Sequence, residues 1–301
     1  MSSGWLQISV PLQSEALDDV SASLYDLVGS SYAVESRPLV FSEGWSLTAH
    51  AYVRPGKAQR ATRRKILRTL EFLRLAGAGT VGAASESYVQ PDEYLTRWRE
   101  FYVPVAVGER LLIVPAWEDP PPEWSERIPI FLDSAQAFGT GHHPTTRLAL
   151  EELEKIVVAD SVVVDVGTGS GVLAIAAAKL GARRVYAYDR DGRVRQPAEA
   201  NIVRNQVGDR VVLSVTSKTI NPPERAHVLV ANIVAAVHLE LMSIYLRVVT
   251  QAGTVLLGGV LDERIDEVIS SAQACGFSVE RSASLGEWRA LLLRRNLGGT
   301  G

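Results

Sequence analysis

The sequence predicts an α/β protein in which a doubly wound, mostly parallel sheet follows a smaller α+β unit. Three observations predict it. From about Ile128 onward, short apolar runs alternate with helical patterns, as when helices cover both faces of a parallel sheet. Inside that half, "SVVVDVG" runs into a cluster of glycines and then into "GVLAIAAAKLG": a strand, a tight turn and a helix. Ahead of it, residues 1–90 alternate strand-like and helix-like patterns in the order β-α-β-β-α-β, which is the split βαβ, ferredoxin-like order.

In this first unit, "WLQISVPL" reads as a strand. "SEALDDVSASLYDLVG" reads as a helix capped by Ser14, with Leu17, Val20, Leu24 and Leu27 on one face and Gly29 as its stop. "YAVESRPLV" and "WSLTAHAYV" are strands around the turn signal "SEG". "ATRRKILRTLEFLRLAG" is a second helix, apolar at Ile66, Leu67, Leu70, Leu73 and Leu75, and "TVGAASESYV" is a last strand. Residues 91–117 read as a connector, with a helix in "DEYLTRWREF" and a strand in "ERLLIVPAW". The run Pro120, Pro121, Pro122 makes "EDPPPEWSERIP" a loop.

Residues 118–301 form the second domain. "PTTRLALEELEKIV" is helical; "SVVVDVG", "RRVYAYD", "RVVLSV", "HVLVANI" and "TVLLGGV" are strands. "GVLAIAAAKLG", "VRQPAEANIVRNQ", "LELMSIYLRVVTQAG" and "DERIDEVISSAQACG" are the helices between and after them. "FSVERSAS" and "WRALLLRR" close the chain as strands, before a frayed "NLGGTG".

Composition narrows the function classes. The chain has 301 residues, 47% hydrophobic and 22% charged, with net charge −3, so no whole-chain field attracts nucleic acid. A single cysteine, Cys275, excludes an intramolecular disulfide. "MSSGWLQISVPLQ" lacks the basic and apolar regions of a signal peptide, and no apolar run spans a bilayer. A cytoplasmic protein with no membrane partner is expected.

The glycine turn is the most informative stretch. Gly167, Gly169 and Gly171 stand between strand and helix, where glycine allows positive φ and close approach of a ligand to the backbone. The helix N-terminus offers free N–H groups to that ligand. Asp189, at the end of the next strand, is placed to accept hydrogen bonds from ribose hydroxyls. Asp165 adds a second carboxylate. A dinucleotide fingerprint needs a third glycine at position 172, where this chain has Val172. The G-x-G-x-G spacing with its two acids is instead similar to the cofactor loop of class I S-adenosylmethionine methyltransferases, which have a Rossmann-like fold.

A wider set of stretches resembles one family, the bacterial methyltransferases of ribosomal protein L11, called PrmA. They are "LDSAQAFGTGHHPTTRLALEELE", "VVDVGTGSGVLAIAAAKLGA", "EANIVRNQV", "LVANIVAAVHLEL", "GTVLLGGVLDER" and the closing "GEWRALLLRR", with "WREFYVPVAVGERLLIVPAWE" upstream. The resemblance covers residues 90–295 well and residues 1–90 mainly in size and pattern order. It implies S-adenosyl-L-methionine as cofactor and L11, free or ribosome-bound, as substrate. Several lysine side chains and an α-amino group are the implied acceptors. It also implies that residues 1–90 recognise the substrate. A monomer with no direct nucleic-acid requirement is expected. The chain departs from the family at His142, often threonine, and at Thr168, often cysteine. "LSVTSKT" carries no acid beside the adenine position, so Thr216 and Ser217 are the candidates there.

Two stretches carry the remaining site residues. In "AFGTGHHPTT" the adjacent histidines lack metal-ligand spacing. A lid loop fits better: Phe138 packs on the cofactor or the substrate stem, Thr140 and Gly141 meet the cofactor, and Pro144 and Thr145 launch a helix. No metal is expected. In "VLVANIVAAVH", Asn232 ends the fourth strand of this domain, at the carboxyl edge where α/β folds bind ligands. It is the candidate catalytic residue, holding the acceptor nitrogen, and it borders the cofactor. Two rival classes are a nicotinamide oxidoreductase, opposed by Val172, and a noncatalytic binding module, opposed by the retained glycine loop, Asp189 and Asn232. Within the methyltransferases, another protein or small-molecule acceptor is the alternative.

Overall fold

The structure is a computed structural model. It describes residues 5–13, 16, 20, 23–24, 27–28, 32–36, 47–76, 80–89, 103–133, 143–215 and 219–296. The chain divides into two compact units, Met1–Tyr102 and Val103–Gly301.

In the smaller unit, β1 (Trp5–Leu12) is the strand the sequence predicts, and every second residue is buried, as the two-residue period of a half-buried strand requires. It lies between β3 (Leu47–Val53) and β4 (Ser85–Val89), antiparallel to both, and β2 (Tyr32–Ser36) pairs with β3. The order β2-β3-β1-β4 is that of the split βαβ unit. Helix α1 (Gln59–Ala76) buries Ile66 and Leu70, one turn apart on one face. Leu67 and Leu73 flank this core, but Leu75, expected among them, is 71% exposed. Val20 and Leu24 are helical and buried in the same core. Ser14, Leu17, Gly29 and the helix expected in "DEYLTRWREF" lie outside the described residues.

The larger unit begins with a three-stranded sheet of β5 (Val105–Val107), β6 (Leu111–Pro115) and β7 (Ile128–Leu132). Strand β7 falls where the sequence suggested loop, because Pro129 and the preceding prolines mask it. It pairs parallel to β6. Val107, Leu111, Ile113, Ile130 and Leu132 share one core with the second sheet. Residues 103–117, expected as part of a connector with structure of its own, belong to this unit.

The second sheet has seven strands: β8 (Val162–Val166), β9 (Arg184–Asp189), β10 (Val211–Val215), β11 (Ala226–Asn232), β12 (Val249–Leu261), β13 (Phe277–Leu285) and β14 (Trp288–Arg295). Their order is β10-β9-β8-β11-β12-β14-β13. The first five are parallel neighbours, and β14 runs antiparallel to β12 and β13. Among the described residues, five helices accompany the sheet: α2 (Pro144–Ile156), α3 (Val172–Lys179), α4 (Arg195–Arg204), α5 (Ala235–Val248) and α6 (Ile265–Ala274).

Alternation along the strands sends side chains to both faces. On β8, Val163 joins the core under α2 and α3, while Val162, Val164 and Val166 join the core under α5 and α6. Helix α3 is buried from Val172 to Ala178, so its apolar sequence has no polar face to spare. Helix α5 ends sooner than its apolar pattern suggested. Val249 turns extended, and the residues that follow pair in β12; the β-branched Val248-Val249-Thr250 run favours strand over another helical turn.

Candidate functional site

Strand β8 stands between β9 and β11. Their carboxyl ends carry Asp165, Asp189 and Asn232. Strand order reverses between β8 and β11, and such a reversal opens a crevice at the carboxyl edge of an α/β sheet. The sequence thus named residues that the topology brings to one edge.

The turn after β8 is left-handed at Gly167, Gly169 and Gly171, with φ of 75°, 53° and 86°, values that L side chains resist. Gly167 is needed for space as well. A Cβ there would collide with Ile233 Cγ2. The backbone N–H groups of Gly167 and Thr168 donate to Tyr188 O at 2.8 and 3.0 Å. Gly169 N donates to Asp189 Oδ2 at 3.0 Å, and Asp191 N to Asp189 Oδ1 at 2.9 Å. Asp189 therefore holds the turn, and each of its oxygens keeps a lone pair for a ligand.

Asp165 is fully buried, and its Oδ2 accepts from Thr168 Oγ1 at 2.6 Å. Burial pushes its carboxyl up to about 7; the charge of Asp189 adds to this, and the Thr168 hydrogen bond opposes it. Its Oδ1 has no hydrogen-bond partner among the described residues. Thr168 is thus the hydroxyl donor to the buried acid.

Two asparagines without a role in the sequence analysis act here: Asn201 of α4 braces the turn, and Asn205, just past the helix, holds β7. Asn201 Nδ2 donates to Ser170 O at 3.0 Å, and its Oδ1 accepts from Asp133 N at 2.9 Å. Asn205 bonds both backbone groups of Phe131. The available signal was their spacing of one helical turn in "EANIVRNQ".

On the other side of the crevice, Asn232 Nδ2 donates to Thr145 Oγ1 at 3.3 Å and to Thr146 Oγ1 at 3.5 Å. Both threonines are buried at the start of α2. His143 is the N-cap of that helix, and its side chain accepts from Thr145 N; Pro144 takes the first turn. Burial holds the His143 imidazole down at about 4, and its ring meets Trp288 edge-on at 5.3 Å. Asn232 Oδ1 is buried and has no partner among the described residues.

Asn232 stands opposite Gly258 on β12. A Cβ at Gly258 would come within 2.7 Å of Oδ1, so glycine keeps that space open. Beneath it, His238 Nε2 bonds Gly258 O at 2.8 Å, and burial pushes the His238 ring down to about 4. Ile233 is packed against the core, whereas Val234 is 58% exposed.

Phe138, Thr140, Gly141, His142, Thr216 and Ser217 lie outside the described residues. Among those described, no three His, Cys, Asp or Glu side chains are grouped to hold a metal ion.

Comparison with known proteins agrees with this architecture. Residues 4–296 match the family described as Ribosomal protein L11 methyltransferase (PrmA). A ribosomal protein L11 methyltransferase of Anoxybacillus flavithermus is 32% identical over 97% of this chain and 99% of its own length. One of Heliobacterium modesticaldum is 40% identical over 68% of this chain and 64% of its own. The crystal structure of a ribosomal protein L11 methylase from Lactobacillus delbrueckii subsp. bulgaricus superposes with a TM-score of 0.61 at 32% identity, covering 65% of this chain and all of that one. With a family match across nearly its whole length and a full-length relative at this identity, the chain belongs to the ribosomal protein L11 methyltransferase family.

Proposed function

We propose that methyl transfer takes place at the carboxyl edge of β8 and β11, with Asn232 holding the acceptor amine. The activity is that of the family: S-adenosyl-L-methionine-dependent methylation of lysine in ribosomal protein L11. The observation that supports the site is the convergence of Asp165, Asp189 and Asn232 on three neighbouring strand ends beside a left-handed glycine turn. This set fits the cofactor. The free lone pairs of Asp189 suit ribose hydroxyls, and the turn of Gly167, Thr168, Gly169 and Gly171 suits close approach. The buried Oδ1 of Asp165 suits a cationic group. Phe138, Thr140, Gly141 and Thr216 belong to the same proposal.

When bound, S-adenosyl-L-methionine supplies an electrophilic methyl group on a sulfonium. The protein must present a neutral amine to it. A free lysine has a pKa of about 10.4, so deprotonation at pH 7 costs roughly 4–5 kcal/mol. Burial from water offsets part of this cost by disfavouring the ammonium. Asn232 Oδ1 accepts an N–H of the neutral amine and thereby aims its lone pair. Positioning is the main contribution, and the released proton goes to solvent.

The smaller unit, with residues 1–90 at its heart, is the substrate-recognition module. Every site residue above lies beyond it. Its helix α1 exposes Phe72 and Leu75 beside Arg64 and Arg68, an apolar and basic face suited to a protein partner. The enzyme acts as a cytoplasmic monomer on L11, free or in the ribosome, without direct nucleic-acid contact. Among the described residues no helix is long and apolar enough to cross a membrane.

The test is labelled S-adenosyl-L-methionine with purified L11 and site-resolved mass spectrometry. Methyl groups on L11 lysines are expected. Asn232→Ala should lower turnover far more than affinity for S-adenosylhomocysteine; full turnover in that variant would remove Asn232 from the chemistry.

A further inference from the structure

We infer that Thr145 is a positioning residue for the reaction: its hydroxyl, oriented by His143, fixes the Asn232 amide so that Oδ1 faces the acceptor amine. The inference rests on the reading that Asn232 meets that amine, and adds what sets the direction of its side chain.

A lone asparagine can present either end of its amide, and its partners decide which. Thr145 Oγ1 lies 2.8 Å from His143 Nδ1 and 3.3 Å from Asn232 Nδ2. The backbone N–H of Thr145 also points at His143 Nδ1, at 3.3 Å. A ring nitrogen that receives a backbone N–H carries its lone pair there, not a proton. The hydroxyl proton of Thr145 then goes to the same nitrogen, and Oγ1 is left as an acceptor. Asn232 must therefore offer its N–H to Thr145 and carry Oδ1 on the other side. The run of donors is one-way: amine to Asn232, Asn232 to Thr145, Thr145 to His143.

Three further observations agree. Asn232 Oδ1 is the end without a partner among the described residues. The missing side chain at Gly258 leaves space beside it. The His143 ring is half-buried and meets the edge of Trp288, and turning it would lose the helix cap. The histidine and threonine of "HPTT" thus couple the start of α2 to the end of β11.

The experiment uses the full-length enzyme, L11 and four variants: Thr145→Val, Thr145→Ser, Asn232→Ala, and Thr145→Val with Asn232→Ala. Thr145→Val should lower kcat by about tenfold or more, with KM for L11 and affinity for S-adenosylhomocysteine changed less than about twofold. Thr145→Ser, which keeps the hydroxyl, should recover most of the loss. In the double variant, valine should add nothing to the Asn232→Ala defect, because it acts only through that amide. If Thr145→Val fails to fold, Thr145→Ala removes the same hydroxyl from the helix without overpacking. Full kcat in the hydroxyl-free variants beside an inactive Asn232→Ala would overturn the inference while leaving Asn232 in its role. Losses that simply add in the double variant would also overturn it. An active Asn232→Ala would sink the reading beneath both.

Discussion

Asp189 joins two tasks in one carboxylate, because its oxygens receive the N–H groups of Gly169 and Asp191 and still face the ligand edge. Asp189→Ala should therefore weaken S-adenosylhomocysteine by more than a lost surface contact would. A hydrogen bond to a charged group contributes roughly 1.5–3 kcal/mol, so titration calorimetry should show affinity falling on the order of ten- to a hundredfold. Unchanged affinity in a folded variant would mean that the turn serves another ligand. The buried ionisable groups make a second prediction. His238 is held down at about 4 from an ordinary 6.5. Below pH 6.5 the unfolded chain takes up a proton that the folded one refuses, so stability is complete above 6.5 and is lost as pH falls towards 4. The loss is about 3 kcal/mol, and His143 acts in the same direction. Asp165, raised to about 7, runs the other way: the folded chain keeps a proton that the unfolded one sheds between about 3.9 and 7, so this group costs stability as pH rises through that window. Urea midpoints from pH 4.5 to 7.5 should therefore rise more gently in His238→Gln than in the wild type, and more steeply in Asp165→Asn. Of these residues, Asp165, Asp189 and Asn232 were legible because each ends a strand in a recognisable pattern. The work of His238 was not, because a histidine inside an apolar helix carries no mark of the carbonyl it will meet.

At the scale of elements, the glycine turn and its flanking strand and helix could be read directly, since strand, glycines and buried helix follow one another without interruption. Strand β7 could not. Its pairing with β6 is a parallel contact across an intervening proline loop, and only the tertiary partner turns "IPIFL" into a strand. The boundary of α5 was hidden for a similar reason, because the apolar Leu246, Val248 and Val249 carry the pattern across the helix end into strand β12. That junction matters to function. Strand β12 brings Gly258 against Asn232, and the space beside Oδ1 exists only because position 258 has no side chain. Gly258→Ala places a methyl within 2.7 Å of Oδ1 and must push the amide aside. A shift of that size misplaces the acceptor by a fraction of an ångström or more, enough to cost on the order of a hundredfold in turnover. Cofactor affinity should fall far less than turnover, since Asp189 ends β9, on the far side of β8 from β12. Stopped-flow single-turnover rates beside calorimetry separate the two effects. Equal losses in both would mean that the alanine disturbs the whole edge and not the amide.

At the scale of the whole molecule, the described residues form three cores, one in the smaller unit and two in the larger, each built by its own strands and helices. The smaller centres on Leu6, Ile8, Val10, Ile66 and Leu70, and the larger unit has a core on each face of its long sheet. The order of elements in each unit was legible because periodicity is local. The division between them was not, because residues 103–117 become part of the larger unit only through pairing of β6 with β7 and packing of Val107, Leu111 and Ile113 beneath α2 and α3. That division decides how the recognition proposal should be tested. A fragment that starts at Val103 keeps β5 to β7 and every described site residue, whereas one that starts after residue 117 loses β6, the strand with which β7 pairs. The Val103 fragment should bind S-adenosylhomocysteine within about threefold of the full chain, a difference under about 1 kcal/mol. It should methylate short lysine peptides at high concentration but lose methylation of intact L11, because the recognition face on α1 is gone. Substitution of Phe72 and Leu75 by serine in the full chain provides a milder form of the same experiment: KM for L11 should rise while kcat holds. Site-resolved mass spectrometry with a single L11 preparation compares all three proteins. If the fragment modifies the same lysines of intact L11 at the same rate, substrate recognition lies in the larger unit, and the exposed apolar face of α1 serves something else.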